Sequence, residues 1–243
     1  MKRVLVTGAH KGLGLAWCRA FALRRYEVVL TARNSGDAQA AAHRLAEEGL
    51  AVIPQTLDVT EEASIKALLA WFSYEGKGLD VLINNAGINP KDYRDKTEMA
   101  KAFYLDSLEA EALMKVFHIN SIAPLLMVKH FRPLLKQSPR PVVLSVSSWL
   151  GSVSQLTFGG HYGYVASKNL LNVLHKSMAL ELKLDGIVCA TVNPGWVQTD
   201  MGGGKAPLTP DASVNLVLEH VFDRLSLEQS GGFFHYDGAP HPW

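Results

Sequence analysis

Short apolar runs alternate along this chain with stretches in which apolar residues return every three or four positions. The runs at 4–6, 28–30, 51–57, 81–83, 142–146 and 187–192 have strand length. Their near-continuous apolar character is that of strands buried on both faces. Between them, the helical period predicts helices over about 13–24, an alanine-rich segment ending at Glu48, then 61–72, 109–136, 164–184 and 212–225. A short last strand falls near Phe233. Alternating β and α elements predict a parallel sheet covered by helices, with right-handed crossovers. The expected class is α/β: a single Rossmann-like doubly wound parallel sheet of about seven strands with helices on both faces. No repeat and no Pro/Gly/Ser linker divides the chain, so residues 1–243 read as one domain. Two segments, 89–108 and 202–210, lack clear periodicity. Both follow strand ends, where open α/β sheets place ligands.

Composition narrows the class further. An apolar share of 48% over 243 residues supports a sizeable core. A net charge of +1, without a long Lys/Arg run, gives no electrostatic reason to expect nucleic acid or a membrane surface. No stretch approaches the roughly 18 uncharged apolar residues of a membrane span. The apolar run after Lys2-Arg3 is too short for a signal peptide. Cys18 and Cys189 lie outside any CxxC spacing and read as small buried hydrophobes in a reduced, cytoplasmic setting. The histidines form no HExxH-like spacing, so no catalytic metal is expected.

The first strand meets the first helix at Thr7-Gly8-Ala9-His10-Lys11-Gly12-Leu13-Gly14. Glycines let a backbone turn sharply and approach a pyrophosphate, and the helix N-terminus offers free N–H groups to the anion. The spacing is G-x-x-x-G-x-G, and its place between strand and helix favours dinucleotide binding. The second strand ends Thr31-Ala32-Arg33, with no Asp or Glu to take a ribose 2′-hydroxyl. Arg33 and Lys11 are two cations near one ribose and predict a 2′-phosphate, hence NADP(H). One charge-assisted bond is worth roughly 1.5–3 kcal/mol, about a tenfold to hundredfold preference over NAD. Asp58, before Val59, suits either the adenine amino group or a helix cap. Asn84-Asn85-Ala86-Gly87 suits either close approach to a cofactor or a turn held by Asn side chains.

Tyr164-Val165-Ala166-Ser167-Lys168 places a phenol and an ammonium one helical turn apart. A free Tyr has a pKa of about 10, and a neighbouring positive charge is expected to lower it towards the working range. Tyr162 lacks this partner; only Tyr164 has a Lys four residues on. Asn120-Ser121 interrupts an apolar helix, which reads either as a local break with a purpose or as a tolerated polar pair.

With Thr7-Gly8-x-x-x-Gly12-x-Gly14, Asn84-Asn85-Ala86-Gly87, Asn120, Ser147-Ser148, Tyr164-x-x-x-Lys168 and Asn193-Pro194-Gly195 in this order, the chain resembles the short-chain dehydrogenase/reductase family over most of its length. Within it, the run from Pro194 to Gly203 and the tail from Tyr236 to Trp243 look most like the C-factor/sniffer-type carbonyl reductases. The resemblance implies that Tyr164 is the general acid of carbonyl reduction and the base of the reverse reaction. It implies that Lys168 lowers the Tyr164 pKa and holds the nicotinamide ribose, and that Ser148 hydrogen-bonds the substrate oxygen. Asn120 would position a water in a proton relay. Thr199 and the Val197 backbone, next to Pro194 and Gly195, would hold the carboxamide, and Asp58 would take the adenine role. The gap of 16 from Ser148 to Tyr164 is longer than the family's common spacing, which keeps Ser147 as an alternative hydroxyl.

The expected substrate is a small-molecule carbonyl or alcohol, in a pocket walled by Trp149, Phe158, His161, Tyr162, Trp196 and Met201. Gly202-Gly203-Gly204 fits a mobile lid or a plain flexible loop. Two other readings stand beside the reductase: an NADP(H)-binding regulatory or signalling protein, and a 3-oxoacyl-carrier reductase. The second would want a basic patch, and only Lys91, Arg94 and Lys96 offer one. Relatives pair the long helices, so a homodimer or homotetramer is expected, with Leu126, Met127, Leu171 and Met178 serving a dimer face or the core.

Overall fold

A computed structural model describes residues 1–243. Its elements run β1 (Arg3–Val6), α1 (Gly12–Leu23), β2 (Glu27–Ala32), α2 (Ser35–Glu47), β3 (Ile53–Thr56), α3 (Glu62–Tyr74) and β4 (Val81–Asn84). They continue with α4 (Lys96–Ala100), α5 (Ala110–Phe117), α6 (Ala123–Leu135), β5 (Val142–Val146), α7 (Tyr162–Leu182), β6 (Val188–Asn193), α8 (Pro210–His220) and β7 (Gly232–His235). The strands form one seven-stranded sheet in the order β3-β2-β1-β4-β5-β6-β7. Every neighbouring pair is parallel. The expected doubly wound sheet is therefore present. The strand order reverses between β1 and β4, which opens a crevice at their carboxyl ends.

Alternate residues of one strand feed different cores, as a period of two requires. Val4 and Val6 pack with Phe21, Leu45 and Leu218 on one face, whereas Leu5 packs with Phe72, Phe131 and Met178 on the other. Full burial of such a side chain contributes about 1.5–3 kcal/mol.

The helix expected over 109–136 is one run, Ala110–Leu135, broken in mid-course by a π-helical turn at His118–Ile122. That turn holds Asn120 and Ser121 and explains the polar pair in an apolar helix. At 26 residues and a mean hydropathy of 1.2, the run is by length and composition apolar enough to cross a membrane, though Glu111, Lys115, Lys129 and Arg132 interrupt it. In the fold it covers the sheet: Ala123, Met127, Phe131 and Leu135, each four residues apart, are fully buried. Met127, Leu171 and Met178 are thus buried within the chain, and Leu126 packs half-buried against the same core.

α7 starts at Tyr162, two residues earlier than the period suggests, and α8 starts at Pro210. Thr209 sets the second boundary, its Oγ1 accepting from the Ala212 N–H at 3.2 Å. The non-periodic segment 89–108 folds as single turns, Pro90–Asp92, α4 and Leu105–Ser107. Elements of one turn are too short to show a period.

Candidate active site

The glycine loop is fixed from β4. Thr7 Oγ1 accepts from the Asn85 and Ala86 N–H groups, both at 3.0 Å. Asn85 Nδ2 donates to the Thr7 and Gly8 carbonyls, again at 3.0 Å. The turn reading of Asn84–Gly87 holds: the Asn85 amide clamps the turn, and the small residues let two backbones meet. A Cβ on Gly8 would lie 2.8 Å from Ala86 Cα, and one on Gly14 would lie 2.7 Å from Asn85 Nδ2 and collide with the Gly8 carbonyl. Gly8 and Gly12 also hold φ of 61° and 55°, where a side chain is strained. The N-cap of α1, Lys11, offers no side-chain cap, so the helix's first-turn N–H groups face the cleft without a protein acceptor. These features fit a bound pyrophosphate.

His10, Leu13, Arg33, Asp58, Val59, Ala86, Gly87, Pro194, Gly195, Val197 and Thr199 line one continuous cleft with Tyr164 and Lys168. Its volume is about 2350 Å³. That exceeds the roughly 300–1,000 Å³ of a drug-sized pocket and leaves room for a dinucleotide and a second ligand.

The two expected phosphate cations have different fates. Lys11 Nζ meets Asp200 Oδ2 at 2.6 Å across the mouth of the cleft, and both side chains are exposed. Arg33 remains as the exposed cation at the end of β2. Two neighbours escaped the sequence reading: Arg44 Nη2 donates to the His10 carbonyl at 2.6 Å, and Asp37 lines the same corner while accepting from Asn34 at 3.1 Å. Both lie on α2, past the strand end, where nothing local shows which face of the helix turns to the cleft.

Asp58 is not the cap of α3; that position belongs to Glu61. Asp58 Oδ1 accepts from the Thr60 N–H and hydroxyl at 2.9 and 2.7 Å. Burial pushes its carboxyl up, but the Thr60 bonds and the charge of Arg33 outweigh this and hold it below the usual range.

Tyr164 and Lys168 are both buried, with the Lys168 Nζ 5.6 Å from the centroid of the phenol ring. Nζ donates to the Val146 carbonyl at 2.8 Å. Burial pushes the Lys168 amine down to about 8. Burial also pushes the Tyr164 phenol up to about 12, with the Ser148 hydroxyl acting the other way and Asp92 adding to the rise. The expected lowering by Lys168 is therefore not what this environment produces, because desolvation of the phenolate raises the phenol more than the Ser148 hydroxyl lowers it.

Ser148 is half-buried at the start of the turn Trp149–Gly151, and its Oγ accepts from the Leu150 N–H at 3.2 Å. Ser147 is buried, and its unpaired Oγ sits where a Cβ on Gly151 would approach to 2.8 Å. Ser148 is thus the more accessible of the two hydroxyls.

Asn120 does not line the cleft. Its amide is buried, with Oδ1 accepting from the Ile88 N–H at 2.8 Å and Nδ2 donating to the Ile88 carbonyl and Ser167 Oγ at 2.9 Å. Ser121 Oγ donates to the Ser167 carbonyl at 2.7 Å. Through these bonds the π-helical turn braces both α7 and the segment after β4. A Cβ on Gly87 would lie 3.3 Å from Asn120 Oδ1 and 3.9 Å from Lys168 Nζ, so glycine keeps this junction open.

On the substrate side Trp149, Phe158, His161, Trp196 and Met201 all line the cleft. The rings of Trp149 and Phe158 lie 6.0 Å apart, and both are exposed. Tyr162 does not reach the cleft. It sits two residues before Tyr164, roughly 200° round the same helix, so the two phenols cannot share a face. The glycine run is tied down: Trp196 Nε1 donates to the Gly202 carbonyl at 2.7 Å, and the Gly202 N–H donates to Thr199 Oγ1 at 3.0 Å. Any Cβ on Gly202 would overlap the Val197 carbonyl, which makes that glycine a packing requirement.

The family profile described as short chain dehydrogenase matches residues 2–207. The C-signal protein of Myxococcus xanthus is 38% identical over 165 residues, 68% of this chain and 93% of that protein. The carbonyl reductase Sniffer of D. melanogaster superposes with a TM-score of 0.87 at 32% identity, covering 100% of both chains. The NADPH-bound carbonyl reductase from chicken fatty liver superposes with a TM-score of 0.88 at 32% identity, covering 100% of this chain and 99% of that one.

Proposed function

This chain belongs to the short-chain dehydrogenase/reductase family, and from that footing we propose that it reduces a ketone or aldehyde to an alcohol with NADPH. The observation that carries the reading is a buried phenol, kept protonated, in the same cleft as a glycine cradle open to a pyrophosphate. Residues 1–243 act as one dinucleotide-binding domain.

The bound cofactor supplies the hydride. The chain supplies orientation and the proton. The glycine loop and the start of α1 take the pyrophosphate, Arg33 takes the 2′-phosphate, and Asp58 with Val59 takes the adenine end. Thr199 and the Val197 backbone take the carboxamide. As negative charge grows on the carbonyl oxygen, Ser148 donates to it and Tyr164 delivers its proton. Donors aimed at that oxygen stabilise the transition state more than the ground state. A phenol at about 12 is fully protonated at neutral pH, which suits reduction better than the reverse reaction. Lys168, largely charged at pH 7 with its value near 8, holds the ribose and replaces the lost proton. Asn120 acts by fixing the Ile88 backbone and Ser167 around Lys168.

Tyr164→Phe is the test. NADPH oxidation across a panel of ketones and aldehydes should fall by about 10²–10⁴-fold. Unchanged turnover contradicts the reading.

The likeness to the C-signal protein supports a second reading, in which the chain binds NADP(H) as a regulator with little turnover. Tight NADPH binding with no turnover on any panel carbonyl would favour it. The buried thiols Cys18 and Cys189 support a cytoplasmic setting. Val173 and Leu180, 65% and 62% exposed on α7, support a homodimer or homotetramer. Light scattering at micromolar protein should then give a mass above the monomer.

A further inference from the structure

His161 lies on the cleft wall, yet its contacts are with the protein. Among non-glycine residues only it and Arg25 hold a positive φ, 58° at His161. The strain is held in place by the main chain. His161 N–H donates to the Phe103 carbonyl at 2.8 Å, and its own carbonyl accepts from the Val165 N–H at 3.0 Å. The imidazole is buried between two rings. Phe103 lies 4.7 Å away at 29°, and Tyr164 lies 5.3 Å away at 17°. Its Nε2 meets the Asn89 Oδ1 at 2.7 Å, and Asn89 is itself buried. An amide oxygen only accepts, so the imidazole donates from Nε2. The face of the ring is committed to the phenol and its edge to the loop after β4.

We propose that His161 is a positioning residue for Tyr164: stacked on the phenol and tethered to Asn89, it limits the swing of the ring about the Cα–Cβ bond and so fixes the place of the hydroxyl. This rests on Tyr164 being the general acid. A phenol held only at its root can swing about its Cα–Cβ bond, the one rotation that carries the hydroxyl with it. The Phe103–His161–Tyr164 stack restrains that swing on one side. A neutral ring is needed there, because an imidazolium would stabilise the phenolate and let Tyr164 lose its proton before a carbonyl oxygen takes it. Burial first, and Lys91 second, keep His161 neutral, with its value near 4. The other groups facing the pair are Asp92 from the turn Pro90–Asp92, Ser148 from the turn after β5, and Lys168 on α7.

The experiment compares His161→Ala, His161→Phe, Asn89→Ala and Tyr164→Phe, with His161→Ala also placed in the Tyr164→Phe background. His161→Ala should lower kcat about tenfold to hundredfold, as misplacement of a reacting group does, with NADPH affinity unchanged. His161→Phe keeps the stacking face and should recover most of the loss, and Asn89→Ala should cost less than His161→Ala. In the Tyr164→Phe background His161→Ala should add nothing, because no hydroxyl is left to place. A merely structural role would multiply the two losses instead. If Tyr164→Phe abolishes turnover while His161→Ala leaves kcat intact, or if the two effects multiply, this inference is overturned alone. Turnover surviving in Tyr164→Phe overturns the reading beneath it, and this inference with it.

Discussion

Main chain walls the cofactor end of the cleft, whereas exposed side chains wall the substrate end. At the first, Gly8 and Gly14 bring backbone to within a distance that no Cβ tolerates, and Thr7 and Asn85 lock the contact with bonds of 3.0 Å. At the second, Trp149, Phe158 and Trp196 are 40%, 41% and 54% exposed, and of the three only Trp196 is tied by a hydrogen bond, to the Gly202 carbonyl. A wall of backbone admits one ligand shape and few mutations. A wall of exposed aromatic rings can be rebuilt by single substitutions without loss of the fold. The contrast predicts a fixed cofactor site joined to an adjustable substrate site.

Gly14→Ala should break the rigid end most severely. The added carbon has no space, so overpacking of about 1–3 kcal/mol should lower the thermal midpoint and weaken NADPH binding together. A fully stable variant with native NADPH affinity, read by fluorescence titration, would show that the cradle is looser than described. Arg33→Ala should leave stability alone and reduce the preference for NADPH over NADH about tenfold to hundredfold. An unchanged ratio of kcat/KM for the two cofactors would point to Lys11, released from Asp200, as the phosphate cation.

Acid should loosen the His161 wall of the other end and, behind it, the core where His175 is buried against the Ala190 carbonyl. Burial holds His161 and His175 near 4 rather than the usual 6.5. Between those values the unfolded chain binds protons that the folded chain does not. Stability should therefore decline as pH falls from about 6.5 through about 4, and urea midpoints measured across that window report it. A flat midpoint contradicts the neutral, buried state of both rings. The smallest effect belongs to Phe158→Ala. Fold stability should change by no more than about 0.5 kcal/mol, while KM shifts selectively for bulky carbonyls. Equal KM changes for all panel substrates would remove Phe158 from the adjustable wall.

The legibility of the chain follows the same division. The sheet could be read from the sequence because its central strands are near-continuous apolar runs between helices of clear period. The glycine loop could be read because backbone approach has few sequence solutions. Tyr164 and Lys168 could be read because a helix puts residues four apart on one face. What escaped were contacts between segments distant in sequence. Asn89 and Phe103 sit in single-turn elements without a period, and nothing local shows that they close on His161. The pairing of Lys11 with Asp200 joins residues 189 positions apart. The rise of the Tyr164 phenol was missed because burial is a tertiary property, and the lysine four residues away is the only cause visible in the sequence. Tyr162 was placed on the pocket wall by proximity in sequence, which helical geometry forbids.

The central claim is that Tyr164 is a buried phenol holding its proton until a carbonyl oxygen takes it. Labelling tyrosine with ¹³C at the ζ carbon, and assigning the Tyr164 resonance by its disappearance in Tyr164→Phe, allows that proton to be followed directly by NMR. The account predicts that the Tyr164 signal stays in the phenol form past pH 10, towards about 12. A phenolate forming near neutral pH in the free protein would contradict it.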